Sequence, residues 1–161
     1  SLYYGSIHHS ALLSEAAYYR FVFAAGPAVP FPRPLITRHT AFSAEFRTTT
    51  GLRLEQPPLS EHHDALASPV DYSASQAFGT AMRDHGIDAF TFSSARDPEH
   101  GLNAALFRPR ALADRRPRAQ TPWTCETTAD RVSWREHGAH DVVAFPRETF
   151  LVEGVLPAPA V

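Results

Sequence analysis

The chain has 161 residues, 43% of them hydrophobic and 20% charged, with a formal net charge of −2. That length suits one domain with a sizeable core, and the composition is that of a folded globular chain rather than a disordered one. The charge balance gives no basic field for nucleic acid, and no apolar run approaches the roughly 20 residues of a membrane helix.

In chain order, Leu2 to Ser6 reads as a short strand carrying Tyr3 and Tyr4. A helix is predicted from about Ala11 to Ala25, capped by Ser10 and stopped by Gly26-Pro27, with Leu12, Ala16, Tyr19 and Phe23 on its apolar side. The connector from Pro27 to Pro34 holds four prolines in eight residues and must be extended. Thr40 to Arg47 alternates, with Phe42, Ala44 and Phe46 on one face, as a half-buried strand does; Gly51 to Leu54 is a further short strand. A second helix is predicted from about Tyr72 to His85. Ala74, Ala77, Phe78, Ala81 and Met82 give it an apolar side, Asp71 a cap and Gly86 a stop. Ala89 to Phe92 and Asn103 to Phe107 are strands flanking the loop from Ser93 to Gly101. Trp123 to Val132 and Val142 to Val152 have weaker strand patterning. With more strands than helices and no internal repeat, the fold class is α+β with few helices.

Two places carry possible chemistry. Tyr4 and Glu15 are eleven residues apart, on a predicted strand and in the first turns of the helix predicted after it, so they are expected to face each other across a small cleft. A tyrosine can wall a flat ring. A carboxylate beside a ribose can accept hydroxyl hydrogen bonds and offset charge on an oxocarbenium-like transition state. Taken alone, Glu15 is better explained as a solvated carboxylate favoured by the helix dipole. In the loop Ser93-Ser94-Ala95-Arg96-Asp97-Pro98, just past a strand end, Arg96 can grip a phosphate and Ser94 can hydrogen-bond a ribose or carboxamide. Taken alone, that loop is also an ordinary turn opened by Asp97-Pro98 and closed by Gly101. The pairs His8-His9 and His62-His63 lack the spacing and cysteine partners of a zinc site, so no metal is expected. Ser94 lacks the Gly-x-Ser-x-Gly elbow of a hydrolase nucleophile. The five arginines between Arg108 and Arg118 have no interleaved aromatics for RNA and read as a solvated face or a protein contact. All 15 basic residues are arginine, the side chain whose planar fork best matches a pyrophosphate. The single cysteine, Cys125, rules out an internal disulfide framework and fits a reducing cytoplasm.

In one order and with compatible spacings, these pieces resemble the RES-domain family, named for an arginine, a glutamate and a serine. The resemblance runs from about Leu2 to Leu112. It rests on the Tyr4 to Glu15 spacing, Glu15-Ala16-Ala17-Tyr18-Tyr19-Arg20, the Pro57-Pro58-Leu59 step, Asp71-Tyr72-Ser73-Ala74-Ser75-Gln76, and Ser94-Ala95-Arg96-Asp97-Pro98 with Gly101-x-Asn103-x-Ala105-Leu106. It implies a small mixed-sheet core similar to diphtheria-toxin-type ADP-ribosyltransferases, with NAD+ as substrate and no metal. The implied activity is cleavage of the nicotinamide–ribose bond, by hydrolysis, phosphorolysis or transfer of ADP-ribose to a target protein. Glu15 matches the family glutamate, Ser94 the serine and Tyr4 the tyrosine along the substrate, while Arg96 follows the serine as in many members. The implied partner is a protein antitoxin, with no nucleic acid or membrane involved.

The family's cleft arginine lies upstream of the tyrosine strand, where this chain has none, so a single domain over 1–161 that lacks an N-terminal segment is expected. Arg53 stands where many members carry an aspartate. These departures keep open an alternative, a catalytically silent interaction module that binds an antitoxin or another protein.

Overall fold

The structure, a computed structural model, describes residues 2–29 and 31–159. Runs of aromatic, β-branched and small residues build eight strands among them: β1 (Tyr3–Ser6), β2 (Leu35–Ser43), β3 (Gly51–Arg53), β4 (Ala89–Ser93), β5 (Leu102–Leu106), β6 (Ala119–Thr127), β7 (Arg131–Glu136) and β8 (Val143–Pro146). Three α-helices accompany them: α1 (His9–Ala25), the single-turn α2 (His63–Leu66) and α3 (Ser73–Asp84). The fold class is therefore α+β with few helices, as the sequence leads one to expect. Among the described residues no helix is long and apolar enough to cross a membrane.

The strands form two four-stranded sheets. The first has the order β1-β5-β4-β3 and is mixed: β3 runs parallel to β4, and the other pairs are antiparallel. The second, β2-β6-β7-β8, is wholly antiparallel. In it, Trp123, Cys125, Thr127, Val132 and Trp134 are buried, while Glu126, Arg131 and Arg135 alternate with them on the opposite side. That period of two gives the sheet one packed and one wet face.

Helix α1 lies against the packed face, with Leu13, Ala17, Tyr18 and Phe21 meeting Trp123, Cys125, Val132, Trp134 and Phe150. Along the same side, polar contacts tie the helix to the loop between β4 and β5 of the first sheet. Ser14 Oγ donates to Arg96 O at 2.5 Å, and Ser10 Oγ to Asp97 Oδ2 at 2.9 Å. One helix thereby joins both sheets. A smaller core, Ala89, Ala104, Leu106 and Ala111 with Phe46 and Leu112, fills the far side of the first sheet.

Several expectations need correcting. Ser10 does not cap α1: the cap position is His8, without a side-chain bond, and Ser10 lies inside the helix facing Asp97. The buried side of α1 is Ala11, Leu13, Ser14, Ala17, Tyr18 and Phe21, whereas Tyr19 and Phe23 are each 54% exposed. Apolar residues surround this helix, so spacing alone could not choose between adjacent faces. The strand expected at Thr40 to Arg47 begins at Leu35, directly after Pro34, and buries the other parity: Leu35, Thr37, His39 and Ala41 face inward while Phe42 is exposed. Pairing with β6 set that register, and a one-residue shift exchanges the faces of a strand. The stretch from Trp123 to Val132 is two strands broken by a turn, in which Thr128 Oγ1 bonds Asp130 Oδ1 and the Arg131 amide. Pro30, within the proline connector, lies outside the described residues.

Two helix ends follow local chemistry. The cap position of α3 is Tyr72 and not Asp71, but Asp71, one residue earlier, accepts the Ser73 amide through Oδ1 at 2.9 Å, which holds its carboxyl below the usual range. Gly86, at φ +76°, ends α3 as Ile87 N reaches Met82 O and Gly86 N reaches Arg83 O. Arg110 grips both oxygens of buried Asp88, at 2.9 to 3.2 Å, and Arg108 approaches the same carboxylate at 3.4 Å. Arg118 pairs with Asp114 and Glu45. These arginines of the Arg108 to Arg118 stretch are thus taken up in local ion pairs.

Candidate active site

The register of the first sheet builds the floor of a cleft. Residues directly opposite in antiparallel strands share a face. Tyr4 pairs with Ala105 and Ser6 with Asn103, while Ala105 pairs with Phe90 and Asn103 with Phe92. One face therefore carries Tyr4, Ser6, Asn103, Ala105, Phe90 and Phe92, and α1 brings Glu15 to it. A cavity of about 610 Å³ opens over this face, within the range of small-molecule and cofactor sites. Tyr4, Glu15, Tyr18, Tyr72, Phe90 and Arg96 are among its lining residues.

Glu15 is held through one oxygen. Its Oε1 accepts Ser94 Oγ at 2.7 Å, Asn103 Nδ2 at 2.9 Å and Tyr4 Oη at 3.4 Å. Oε2 has no hydrogen-bond partner among the described residues. A carboxylate at a cavity wall with one oxygen fixed and the other free is oriented without being neutralised.

Ser94 is fully buried and does not line the cavity. Its Oγ accepts the amides of Arg96 and Asp97, each at 3.1 Å. With those acceptor positions filled, the hydroxyl proton is directed at Glu15. Of the two, Glu15 and not Ser94 lines the cavity. Asp97 shapes the loop locally, Oδ2 accepting the Gly101 amide and Oδ1 the Glu99 amide, and ties it to α1 as Oδ2 also accepts Ser10 Oγ.

Tyr4 is 46% exposed, yet its hydroxyl turns inward to accept Asn103 Nδ2 at 3.0 Å. Burial, then the neighbouring Glu15 charge, pushes that phenol far above its usual range, so it remains a donor at any physiological pH. Its ring lies 5.8 Å from that of Phe92. Tyr19, also raised by burial and then by Glu15, stands on the same wall.

Arg96 lies elsewhere on the cavity wall. Its guanidinium carbon sits 3.9 Å from the Tyr18 ring centroid, and Nη2 donates to Tyr72 Oη at 2.7 Å and Pro69 O at 3.2 Å. No carboxylate lies within ion-pair distance of it among the described residues. It is the one arginine among the lining residues. Arg20 faces the other sheet, with Nε donating to Thr127 Oγ1 at 3.2 Å, and Arg53 is exposed on β3. No cluster of three histidine, cysteine or acidic side chains is placed to hold a metal among the described residues.

Sequence reasoning missed Asn103 as a site residue. It is fully buried, donates to both Tyr4 and Glu15, and accepts Ser6 Oγ at 2.7 Å. The signal was present in Leu102-Asn103-Ala104-Ala105-Leu106, because an amide inside a buried apolar strand requires partners. Tyr18 and Tyr72 carried no such signal. Compared with known families, the chain is matched by the RES domain over residues 1–128, a span running from β1 through β6. No curated protein matches it.

Proposed function

Since this chain belongs to the RES-domain family, a family associated with NAD-related toxin–antitoxin systems, we propose that it binds NAD+ in the cavity and cleaves the nicotinamide–ribose bond. The observation that carries this reading is Glu15, a residue of the cavity wall anchored through Oε1 by three donors, with no hydrogen-bond partner for Oε2 among the described residues.

In the proposed reaction the N-glycosidic bond breaks with both electrons going to the departing nicotinamide, which leaves neutral. Positive charge develops on the ribosyl carbon and ring oxygen, and Glu15 offsets it from a fixed position. A carboxylate that need not reorganise is worth most at that moment. Tyr4 and Phe92 wall the flat nicotinamide ring, and Arg96, bearing an unneutralised charge, receives the pyrophosphate. Ser94 and Asn103 act through Glu15 by holding its orientation. An acceptor oxygen, from water or phosphate, or a nucleophile on a target protein, then bonds to the ribosyl carbon and releases its proton to solvent.

In this reading the protein is the toxin of a pair, acting in the cytoplasm on the NAD+ pool and restrained by a protein antitoxin. Protein ADP-ribosylation uses the same first step and differs only in the acceptor.

The test is nicotinamide release from NAD+ by the purified protein, with Glu15→Gln in parallel, with and without phosphate. Glu15→Gln keeps the shape and removes the charge; release should fall about 10²–10³-fold. Labelled protein after incubation of labelled NAD+ with cell lysate identifies transfer, and phosphate-dependent release identifies phosphorolysis. Equal release by the variant overturns the assignment of Glu15. No release by the unaltered protein overturns the enzyme reading and favours an interaction module.

A further inference from the structure

The two tyrosines beside Arg96 share a second attachment. Tyr18 lies beneath the guanidinium and donates its hydroxyl to Pro157 O at 2.7 Å; Tyr72 accepts the guanidinium Nη2, and its own hydroxyl lies 3.0 Å from Ala158 O. Pro159 then lines the cavity itself. Three consecutive residues of the C-terminal segment therefore meet either the cage of Arg96 or the cavity. All three lie beyond residue 128, where the family match ends. Leu156, just before them, packs on the main core, and Pro157 is buried.

A guanidinium supported only by neutral oxygens and a ring face keeps its charge for a ligand. It must still be held in place, because a free arginine side chain has many rotamers to lose. Tyr18 and Tyr72 hold it, and the segment holds them. Burial raises the Tyr18 phenol, so its hydroxyl keeps the proton it gives to Pro157 O. The Tyr72 link is looser: its single proton has two carbonyls in reach, Pro69 O at 2.9 Å and Ala158 O at 3.0 Å, and serves one at a time.

We infer that residues 157–159 are a positioning strap for Arg96, acting through Tyr18 and Tyr72 to fix the anion-binding end of the cavity. The strap governs affinity for the pyrophosphate of a dinucleotide and not the bond-breaking step at Glu15. This rests on the reading of the cavity as an NAD+ site.

Tyr18→Phe in the full chain is the cleanest test. It keeps the ring under Arg96 and removes the bond to the strap and the hydroxyl's contact with Tyr72; Tyr72→Phe removes the second link, the bond to Pro69 O and one direct contact with Arg96. The readouts are KM and kcat for NAD+, calorimetric Kd for ADP-ribose, and turnover of nicotinamide riboside, which lacks phosphate. Both variants should raise KM and the ADP-ribose Kd: Tyr72→Phe about ten-fold, because it loses a bond to the charged guanidinium, and Tyr18→Phe about five-fold, because the bond it loses joins neutral groups. Turnover of nicotinamide riboside should fall far less than that of NAD+. An unchanged ADP-ribose Kd in Tyr18→Phe overturns the inference, as does an equal loss with NAD+ and nicotinamide riboside, which marks a general defect in the fold. Absence of ADP-ribose binding by the unaltered protein overturns the dinucleotide reading itself.

Discussion

At the scale of single residues, the site is organised by where protons are obliged to go. Ser94 spends its lone pairs on two amides and Asn103 donates to Tyr4 and Glu15, so the charge of Glu15 is met by donors from three separate elements. Asn103→Asp tests this directly. It replaces a donor 2.9 Å from Glu15 by an acceptor, and two carboxyls at that distance do not both ionise at low cost. Nicotinamide release by Asn103→Asp should fall at least ten-fold at neutral pH, and the pH–rate profile should change shape because one carboxyl retains its proton. A profile superimposable on the unaltered protein's would show that Asn103 does not hold Glu15. Of these residues, Tyr4, Glu15 and Ser94 were legible in sequence through spacing and family resemblance. Asn103 was visible only as part of a short motif, because what makes it matter is an α1 residue 88 positions away.

At the scale of elements, the β4–β5 loop and α1 are fitted to each other around Gly101. A Cβ there would come within 2.6 Å of Asp97 Oδ2 and 3.1 Å of Ala11 Cβ. Neither neighbour yields easily, since Asp97 is anchored by Ser10 and two amides and Ala11 is fully buried in the helix. Gly101→Ala should therefore destabilise the fold by about 1–3 kcal/mol in denaturant unfolding, with activity falling as the Ser94 loop shifts. An unchanged midpoint would mean that the loop adapts freely. Helix α3 shows local sequence deciding both ends, with Asp71 at one and Gly86 at the other. Helix α1 shows the opposite: its existence and stop near Gly26 were readable, but its buried face was not, because leucine, alanine, tyrosine and phenylalanine occur around most of its circumference.

At the scale of the whole molecule, one helix bridges two sheets, and acid should loosen the arrangement in two stages. His39, on the buried face of β2, has its pKa lowered by burial and by Arg20. The unfolded chain then takes up that proton first, so the stabilising contribution is present above about pH 6.5 and is lost as pH falls through the lower folded value. Asp88, whose pKa is lowered first of all by its bonds to Arg110, contributes above the ordinary carboxylate value near 3.9 and loses that contribution at lower pH. Unfolding free energy measured against pH should show a shallow decline starting near pH 6.5 and a steeper one below about pH 4. His39→Gln should flatten the first and Asp88→Asn should lessen the second; unchanged limbs would show that other groups carry the linkage.

The sequence by itself determined the α+β class, the scarcity of helices and the family, and through the family motifs it singled out Tyr4, Glu15 and the serine–arginine loop. Those follow from local pattern and from motifs held at short spacing, which need no knowledge of what packs on what. Only the tertiary structure decided which side of α1 is buried, the register of β2, the turning of Ser94 away from the cavity, the role of Asn103, and the attachment of residues 157–159 to the cage of Arg96. Each of those depends on a contact between distant parts of the chain, such as Ser94 on Glu15 or Tyr18 on Pro157. Burial and hydrogen-bond satisfaction select among locally equivalent arrangements only once those distant partners have met.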